Sequence, residues 1–144
     1  MNPHIEPRHD LSAAEIDAIE HRLYAHNSGA TGRDDARGIG FVVRDDAGAL
    51  IAAAAGYTWA ATSELKQLWV DEHHRGQGLG HALLDAYVAE AARRGVKRIW
   101  VQSHDFQAPA FYEAAGFVRM AEFEGWPDGH VNVVLCKVLS AQAL

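Results

Sequence analysis

A glycine-rich segment between a predicted strand and a predicted helix constrains this chain more than any other feature. The segment is Arg75-Gly76-Gln77-Gly78-Leu79-Gly80, in which three glycines stand at alternate positions. Glycine lets the backbone approach a ligand without obstruction by a Cβ atom, and the first N–H groups of a helix have no partner inside it. Because that end of a helix is also its positive end, the segment is suited to an anion such as a pyrophosphate. The glycines could instead serve only a tight turn.

Two familiar phosphate-binding patterns do not fit this segment. A nucleoside-triphosphate loop requires Gly-Lys-Ser/Thr after its glycines, and that string is missing here. The dinucleotide pattern G-x-G-x-x-G lacks its last glycine, because His81 or Leu83 takes that place, depending on where the pattern starts. Neither nucleotide hydrolysis nor hydride transfer is therefore supported.

Hydrophobic spacing predicts an α/β or α+β domain with a mixed sheet. Ser12 and Glu15 form a capping box for a first helix, whose apolar pattern stops before Gly29. Further helices are predicted at 78–94 and 109–115, each followed by a glycine. The predicted strands are 41–44, 50–59, 65–70, 98–102, 117–124 and 131–138, with 3–9 as at most a short edge strand. Residues 27–37 are predicted as a loop, with a short helix as the alternative.

Length and composition predict one ordinary globular domain over residues 1–144. The chain is 49% hydrophobic and 22% charged, and its net charge of −6 argues against a dedicated nucleic-acid binder. A single cysteine, Cys136, excludes an internal disulfide framework and a multi-cysteine metal site. We expect no membrane span and no export signal, and therefore a soluble, cytoplasmic protein.

Two motifs resemble motifs A and B of the GNAT superfamily of acetyl-CoA-dependent N-acyltransferases. The first is Leu68-Trp69-Val70 with the glycine-rich segment, where Arg75, Gly78 and Gly80 match the R/Q-x-x-G-x-G/A core. The second is Phe111-Tyr112-Glu113-Ala114-Ala115-Gly116-Phe117. The resemblance implies a GNAT-like mixed, mostly antiparallel sheet of six to seven strands, splayed at its centre and flanked by helices.

The resemblance also implies a site for acetyl-CoA. N–H groups of 75–80 would hold the pyrophosphate, and strand 68–70 would separate from strand 98–102 to admit the pantetheine arm. A backbone N–H near Trp69 or Val70 would face the thioester oxygen. The expected cofactor-binding residues are Leu68, Trp69, Val70, Arg75, Gly76, Gln77, Gly78, Leu79, Gly80 and Phe111.

Tyr112 and Glu64 are the predicted catalytic residues. Tyr112 matches the family's tyrosine that acts as general acid toward the departing thiolate, although it could be a core aromatic. Glu64 resembles the base of histone-type members and is predicted to share a strand face with Val70, because the two positions differ by an even number. It could equally be a solvated strand end. The alternative bases are His26, His104, Asp105 and His130.

The acceptor is expected to bind across the slot from coenzyme A. Aromatic residues on loops suggest a flat or apolar acceptor, or a cation against a ring, although each aromatic could be ordinary packing. The expected acceptor-pocket residues are Tyr24, His26, Asn27, Trp59, Trp126 and His130.

The implied function is transfer of an acetyl group from acetyl-CoA to a primary amine of a small molecule or peptide, by direct attack in a ternary complex. No metal is expected, since no H-x-x-x-H pair lies on a clear helix face. A homodimer is compatible with the family. Two alternatives stay open: a non-catalytic coenzyme A-binding regulatory or interaction module, and a domain with no ligand at all.

Overall fold

The computed structural model describes residues 3–139, which fall into two compact units. The first unit ends at Asp34 and the second begins at Asp35. The single domain predicted over 1–144 includes residues 1–2 and 140–144, which lie outside the described residues.

The first unit contains helix α1, Ala13–Thr31. Its capping box is formed as predicted, because the Ser12 hydroxyl accepts from the Glu15 N–H at 3.1 Å and the Glu15 carboxylate accepts from the Ser12 N–H at 3.2 Å. The predicted end before Gly29 is wrong. The helix continues to Thr31 because the left-handed cap is Gly32, with φ of 71° and an N–H that donates to the Ser28 carbonyl. Residues 3–9 form no strand.

The second unit is built on a six-stranded open sheet with strand order β1-β2-β3-β4-β6-β5. Only the β3–β4 pair is parallel, so the predicted mixed, mostly antiparallel sheet is confirmed. The strands are β1 (Arg37–Arg44), β2 (Leu50–Trp59), β3 (Thr62–Val70), β4 (Arg98–His104), β5 (Val118–Phe123) and β6 (Asn132–Val138).

Two helices of this unit join consecutive parts of the sheet. Helix α2 (Leu79–Arg93) follows β3 and buries Leu83, Leu84 and Tyr87. Helix α3 (Pro109–Ala114) follows β4. Among residues 3–139, no helix combines the length and apolar character needed to cross a membrane.

A β-bulge interrupts β3 at Lys66. Ala55 of β2 pairs with Gln67 and the next residue, Gly56, pairs with Leu65, so Lys66 is the extra residue on β3. A bulge of this kind bends the strand and increases its local twist.

The bulge reverses the side-chain alternation along β3. On one side of the bulge the Ser63 hydroxyl lies 2.8 Å from the Tyr87 hydroxyl of α2. On the other side, a Cγ atom of Val70 lies 3.8 Å from where a Cβ on Gly80 of α2 would be. Ser63 and Val70 therefore share the α2 face although their numbers differ in parity. The prediction that Glu64 shares a face with Val70 is wrong, because the extra residue places Glu64 on the opposite face.

The sheet splays at the same place. Strands β3 and β4 pair only from Thr62 with Arg98 to Leu65 with Val101. Beyond these residues β4 pairs with β6 alone, and β3 with β2 alone. The bulge at Lys66 thus stands where the two parallel strands part, and the predicted central splay is present.

Candidate active site

A cleft of 630 Å³ opens where β3 and β4 part. Its walls come from the end of β3, the segment leading into α2, the turn after β4, and α3. Of the predicted cofactor-binding residues, all but Gln77 line it, together with Tyr112. Sequence reasoning assigned no role to further lining residues, which are His74, His81, Phe106, Gln107 and Ala108.

The residues that were missed flank the two motifs in the chain. His74 and His81 lie on either side of the glycine-rich segment, and Phe106 precedes the second motif. Their position next to the two motifs in the sequence was the one indication that they could line the cleft. Which side chains enter the cleft depends on the fold of the turns, such as the 3.0 Å contact of the His74 Nδ1 with the Asp71 carboxylate.

The glycine-rich segment has the backbone that an anion site requires. Gly76 and Gly78 have φ angles of 78° and 81°, in the left-handed region that favours glycine. Gly78 is also the N-cap of α2 and supplies no side-chain hydrogen bond to the helix. The first N–H groups of α2 are therefore left without a capping side chain where the cleft runs past them.

The register of β3 decides which of its backbone groups face the gap. The Asp71 N–H donates to the Ile51 carbonyl of the neighbouring strand at 2.8 Å. Because backbone groups of an antiparallel strand face the partner strand at every second residue, the N–H and C=O of Trp69 also point toward β2. Those of Leu68 and Val70 point away from β2, and the Arg75 Nε donates to the Val70 carbonyl at 3.2 Å. Of the two N–H donors predicted for the thioester oxygen, Val70 fits this register and Trp69 does not.

Tyr112 is buried at the inner wall of the cleft. Its residue is 6% exposed, and its ring packs edge-on against Phe111 and Phe117 at centroid distances of 5.2 and 5.5 Å. Burial raises the pKa of Tyr112 to about 12, above the value near 10 expected for a free phenol. No hydrogen bond joins its hydroxyl to another residue within 3–139, so the group is available to a ligand.

This perturbation predicts a loss of stability in alkali. The pKa of Tyr112 is higher in the folded protein than in the unfolded chain. The contribution of the protonated Tyr112 to the free energy of unfolding is therefore fully present below about pH 10 and is lost as pH rises toward 12. Two pKa units correspond to roughly 2–3 kcal/mol of unfolding free energy. Urea denaturation from about pH 9 to about pH 12 should show that fall, and Tyr112→Phe should show a smaller one. Burial also raises the pKa of Tyr87, so the variant keeps part of the dependence. Identical profiles for the two proteins would contradict the prediction.

Glu64 is not among the residues that line the cleft. Tyr57 is the residue opposite it on β2. Burial first, and then the Glu64 charge, raise the pKa of Tyr57. The Lys66 ammonium lies 5.6 Å from the centroid of the same ring. Glu64 thus lies in a polar cluster with Tyr57 and Lys66 on the sheet. Its role as a base stays a prediction.

Two of the predicted acceptor residues, Trp126 and His130, belong to an aromatic cluster with His104 and Phe106 at the end of β4. The His104 ring lies 4.3 Å from that of Trp126 and 5.1 Å from that of Phe106. The Phe106 ring lies 4.9 Å from that of His130, whose Nδ1 is 2.9 Å from the Asp105 carboxylate. Because Phe106 lines the cleft, this aromatic cluster borders it directly.

The other predicted acceptor residues lie elsewhere. Trp59 pairs with Thr62, at the opposite end of β3 from Val70 and roughly 25 Å away along the strand. The structure therefore does not bring Trp59 to the cleft. Tyr24, His26 and Asn27 lie on α1 in the first unit, and their part in an acceptor pocket stays a prediction.

Comparison with known proteins agrees with this fold and cleft. The model of the acetyltransferase (GNAT) family matches residues 6–117. The acetyltransferase Atu2258 of Agrobacterium fabrum is 30% identical over 112 residues, which cover 77% of this chain and 82% of that protein. Blasticidin-S acetyltransferase of Streptomyces morookaense is 38% identical over 73 residues, covering 50% and 54% of the two chains.

The fold is similar to that of a solved acetyltransferase. The crystal structure of an acetyltransferase from Bacillus cereus ATCC 14579 superimposes with a TM-score of 0.78 at 26% identity, covering 95% of this chain and 98% of that one. The family match spans both motifs and the cleft between them, and the chain belongs to the GNAT family of acetyltransferases.

Proposed function

We propose that this protein transfers an acetyl group from acetyl-CoA to a primary amine of a small molecule, by direct attack in a ternary complex. The observation that carries the proposal is the cleft itself. One continuous space joins an uncapped helix N-terminus, a strand edge with unpaired backbone groups, and the hydroxyl of Tyr112. Family membership supports the choice of an acetyl thioester as donor.

Each part of the cleft suits one part of acetyl-CoA. The N–H groups at the start of α2 would receive the pyrophosphate, with the side chain of Arg75 beside them. The N–H and C=O groups of Leu68, which point away from β2, would bind the amide-bearing pantetheine arm, and the Val70 carbonyl is already bonded to the Arg75 Nε. The apolar side chains of Leu79 and Phe111 would exclude water from its alkyl segments.

The chemistry then requires few residues. The amine nitrogen attacks the thioester carbonyl, the new C–N bond forms, and the C–S bond breaks with its electron pair leaving on sulfur. The Val70 N–H, which points away from β2, would stabilise the oxyanion, a contribution of roughly 2.7–4 kcal/mol for donors of this kind. Tyr112 donates a hydrogen bond to the departing sulfur. With a pKa of about 12 it stays protonated at neutral pH and is a weaker acid than an alkyl thiol, so complete proton transfer to the thiolate is unfavourable.

A small-molecule acceptor is favoured by the relatives. Blasticidin-S acetyltransferase, whose name states its acceptor, matches half of this chain. The aromatic cluster beside the cleft offers rings against which a flat or cationic amine could pack.

An amine panel with thiol detection tests the proposal. Wild-type protein, acetyl-CoA and each of tryptamine, spermidine, kanamycin, blasticidin S and a lysine peptide are incubated, and released thiol and acetylated product are measured. We expect at least one small amine to be acetylated with one thiol released per product. Acetyl-CoA should also raise the melting temperature.

Two outcomes would contradict the proposal. Stabilisation by acetyl-CoA without thiol release from any amine would favour the non-catalytic coenzyme A-binding module. Acetylation of the lysine peptide alone would contradict the small-molecule acceptor and leave the acetyl transfer in place.

A further inference from the structure

We propose that His130, positioned by Asp105, is the general base that removes a proton from the acceptor ammonium. The inference rests on the proposed acetyl transfer, because an amine that is protonated in solution cannot attack a thioester. It assigns this step to a residue of the aromatic cluster, which borders the cleft through Phe106.

The two side chains form a hydrogen-bonded pair across a long sequence separation. The His130 Nδ1 lies 2.9 Å from the Asp105 carboxylate, and the Asp105 N–H donates to the Val131 carbonyl at 3.0 Å. The side-chain and backbone bonds together hold the turn after β4 against the start of β6. Because a carboxylate only accepts hydrogen bonds, Nδ1 carries the hydrogen and Nε2 keeps a free lone pair. Asp105 therefore orients the imidazole and leaves Nε2 as the ring atom that can accept a proton.

The pair stands beside the cleft and is accessible to an amine. The Phe106 ring lines the cleft and lies 4.9 Å from the His130 ring. The His130 and Asp105 side chains are 41% and 37% exposed. An acceptor that rests against Phe106 therefore has both the cleft and the imidazole within reach.

The other titratable groups of the aromatic cluster and of the turn before His130 are His104 and Asp128. His104 is in the same cluster, but its Nδ1 and its backbone N–H both contact the neutral Gln107 Oε1, at 3.1 and 2.7 Å. The turn before His130 carries Asp128. Of the ionisable groups in this cluster and turn, His130 is the histidine whose ring is paired with a carboxylate.

An ammonium proton moves to the His130 Nε2, and the freed lone pair on nitrogen forms the C–N bond with the acetyl carbon. The C–S bond breaks and its electron pair stays on sulfur. The nitrogen then loses a second proton, which neutralises the thiolate. His130 returns its proton to solvent, so the sum is amide, thiol and one released proton.

The test compares His130→Gln and Asp105→Asn with wild type between about pH 6 and about pH 10. The substrates are acetyl-CoA and the panel amine that the wild type acetylates fastest. At pH 7 we expect kcat/KM to fall about 100-fold or more for His130→Gln and about 10-fold for Asp105→Asn. Both deficits should shrink to a few-fold near pH 10, where about half of an amine of pKa near 10 is neutral in solution. Millimolar imidazole should partly restore His130→Ala at pH 7.

A matched control is available on α1. His21 forms a similar exposed pair with Asp17, at 3.8 Å, outside the cleft. His21→Gln should keep the wild-type pH profile. The melting-temperature increase with acetyl-CoA should be unchanged in every variant, which shows that donor binding is intact.

The failures of the two proposals are distinguishable. Wild-type kcat/KM in His130→Gln at all pH values would overturn the base and leave acetyl transfer established. A loss of constant size from pH 6 to pH 10, without imidazole rescue, would also overturn the base, since it indicates a structural role. Absence of thiol release by the wild type would overturn the transfer reaction and the base with it.

Discussion

Replacing Gly56 with alanine is expected to lower the free energy of unfolding by about 3 kcal/mol and the melting temperature by roughly 10 °C. Gly56 lies opposite Leu65, beside the bulge in β3. A Cβ at this position would overlap the Glu64 carbonyl oxygen and the Tyr87 hydroxyl. The carbonyl is backbone and cannot rotate away, and the hydroxyl is fixed by hydrogen bonds to Ser63 and to that same carbonyl. The methyl group can be admitted only by moving β3 or α2.

Gly38→Ala is the matched control for this effect. Gly38 lies in β1, opposite Tyr57, and a Cβ built there meets no atom within 4 Å. Its replacement should change the unfolding free energy by less than about 1 kcal/mol, with stabilisation the expected direction because the unfolded chain loses freedom. Urea denaturation of both variants measures the difference. Equal free energies of unfolding for the two variants would contradict the prediction that the close packing at Gly56 excludes a methyl group.

Tyr112→Phe is expected to lower kcat about 100-fold while the affinity for acetyl-CoA changes little. The substitution removes only a hydroxyl that has no hydrogen-bond partner within residues 3–139, and it keeps the ring that packs against Phe111 and Phe117. Folding at neutral pH should therefore be unaffected. The loss falls on the step in which sulfur leaves, since the phenol donates to the charge that develops there.

The pH dependence of the rate loss distinguishes the role of Tyr112 from that of His130. Because the pKa of Tyr112 is about 12, its hydroxyl stays protonated from pH 7 to pH 10, and the loss of kcat in Tyr112→Phe should be constant over that range. The deficit of His130→Gln should instead shrink as pH rises. Steady-state kinetics of both variants on one panel amine provide the measurement. A Tyr112→Phe enzyme with wild-type kcat would remove the tyrosine from the mechanism.

Local sequence patterns predicted the elements and the position of the glycine-rich segment. They could do so because capping, turn chemistry and apolar spacing act over a few residues. The bounds of the elements were less predictable, because β1 begins at Arg37 rather than 41 and β3 at Thr62 rather than 65. Helix α1 continues past Gly29 because Gly29 and Gly32 are both compatible with a helix end and only Gly32 adopts the left-handed conformation. A lone glycine does not reveal its φ angle.

Features that depend on pairing between distant segments were not predictable. The parity argument for Glu64 assumed an uninterrupted strand, and nothing about Lys66 itself marks a bulge, which is defined by the register with β2. The contact between Asp105 and His130 joins residues 25 apart in sequence. Both residues were among the candidate bases, but their pairing follows from how β6 returns beside β4.

The β3–β4 ladder in the middle of this sheet has fewer residue pairs than any other ladder of the sheet. Four residue pairs connect a three-stranded half, β1–β3, with a second three-stranded half, β4–β6–β5. A donor bound in the gap would contact both halves just beyond that junction, so it would act as a brace between them. The same gap can be widened or narrowed by changes at Leu68 or Val70 while the four pairs stay intact. Substitutions at Leu68 or Val70 would therefore act on the width of the gap, and substitutions at 62–65 on the cohesion of the sheet.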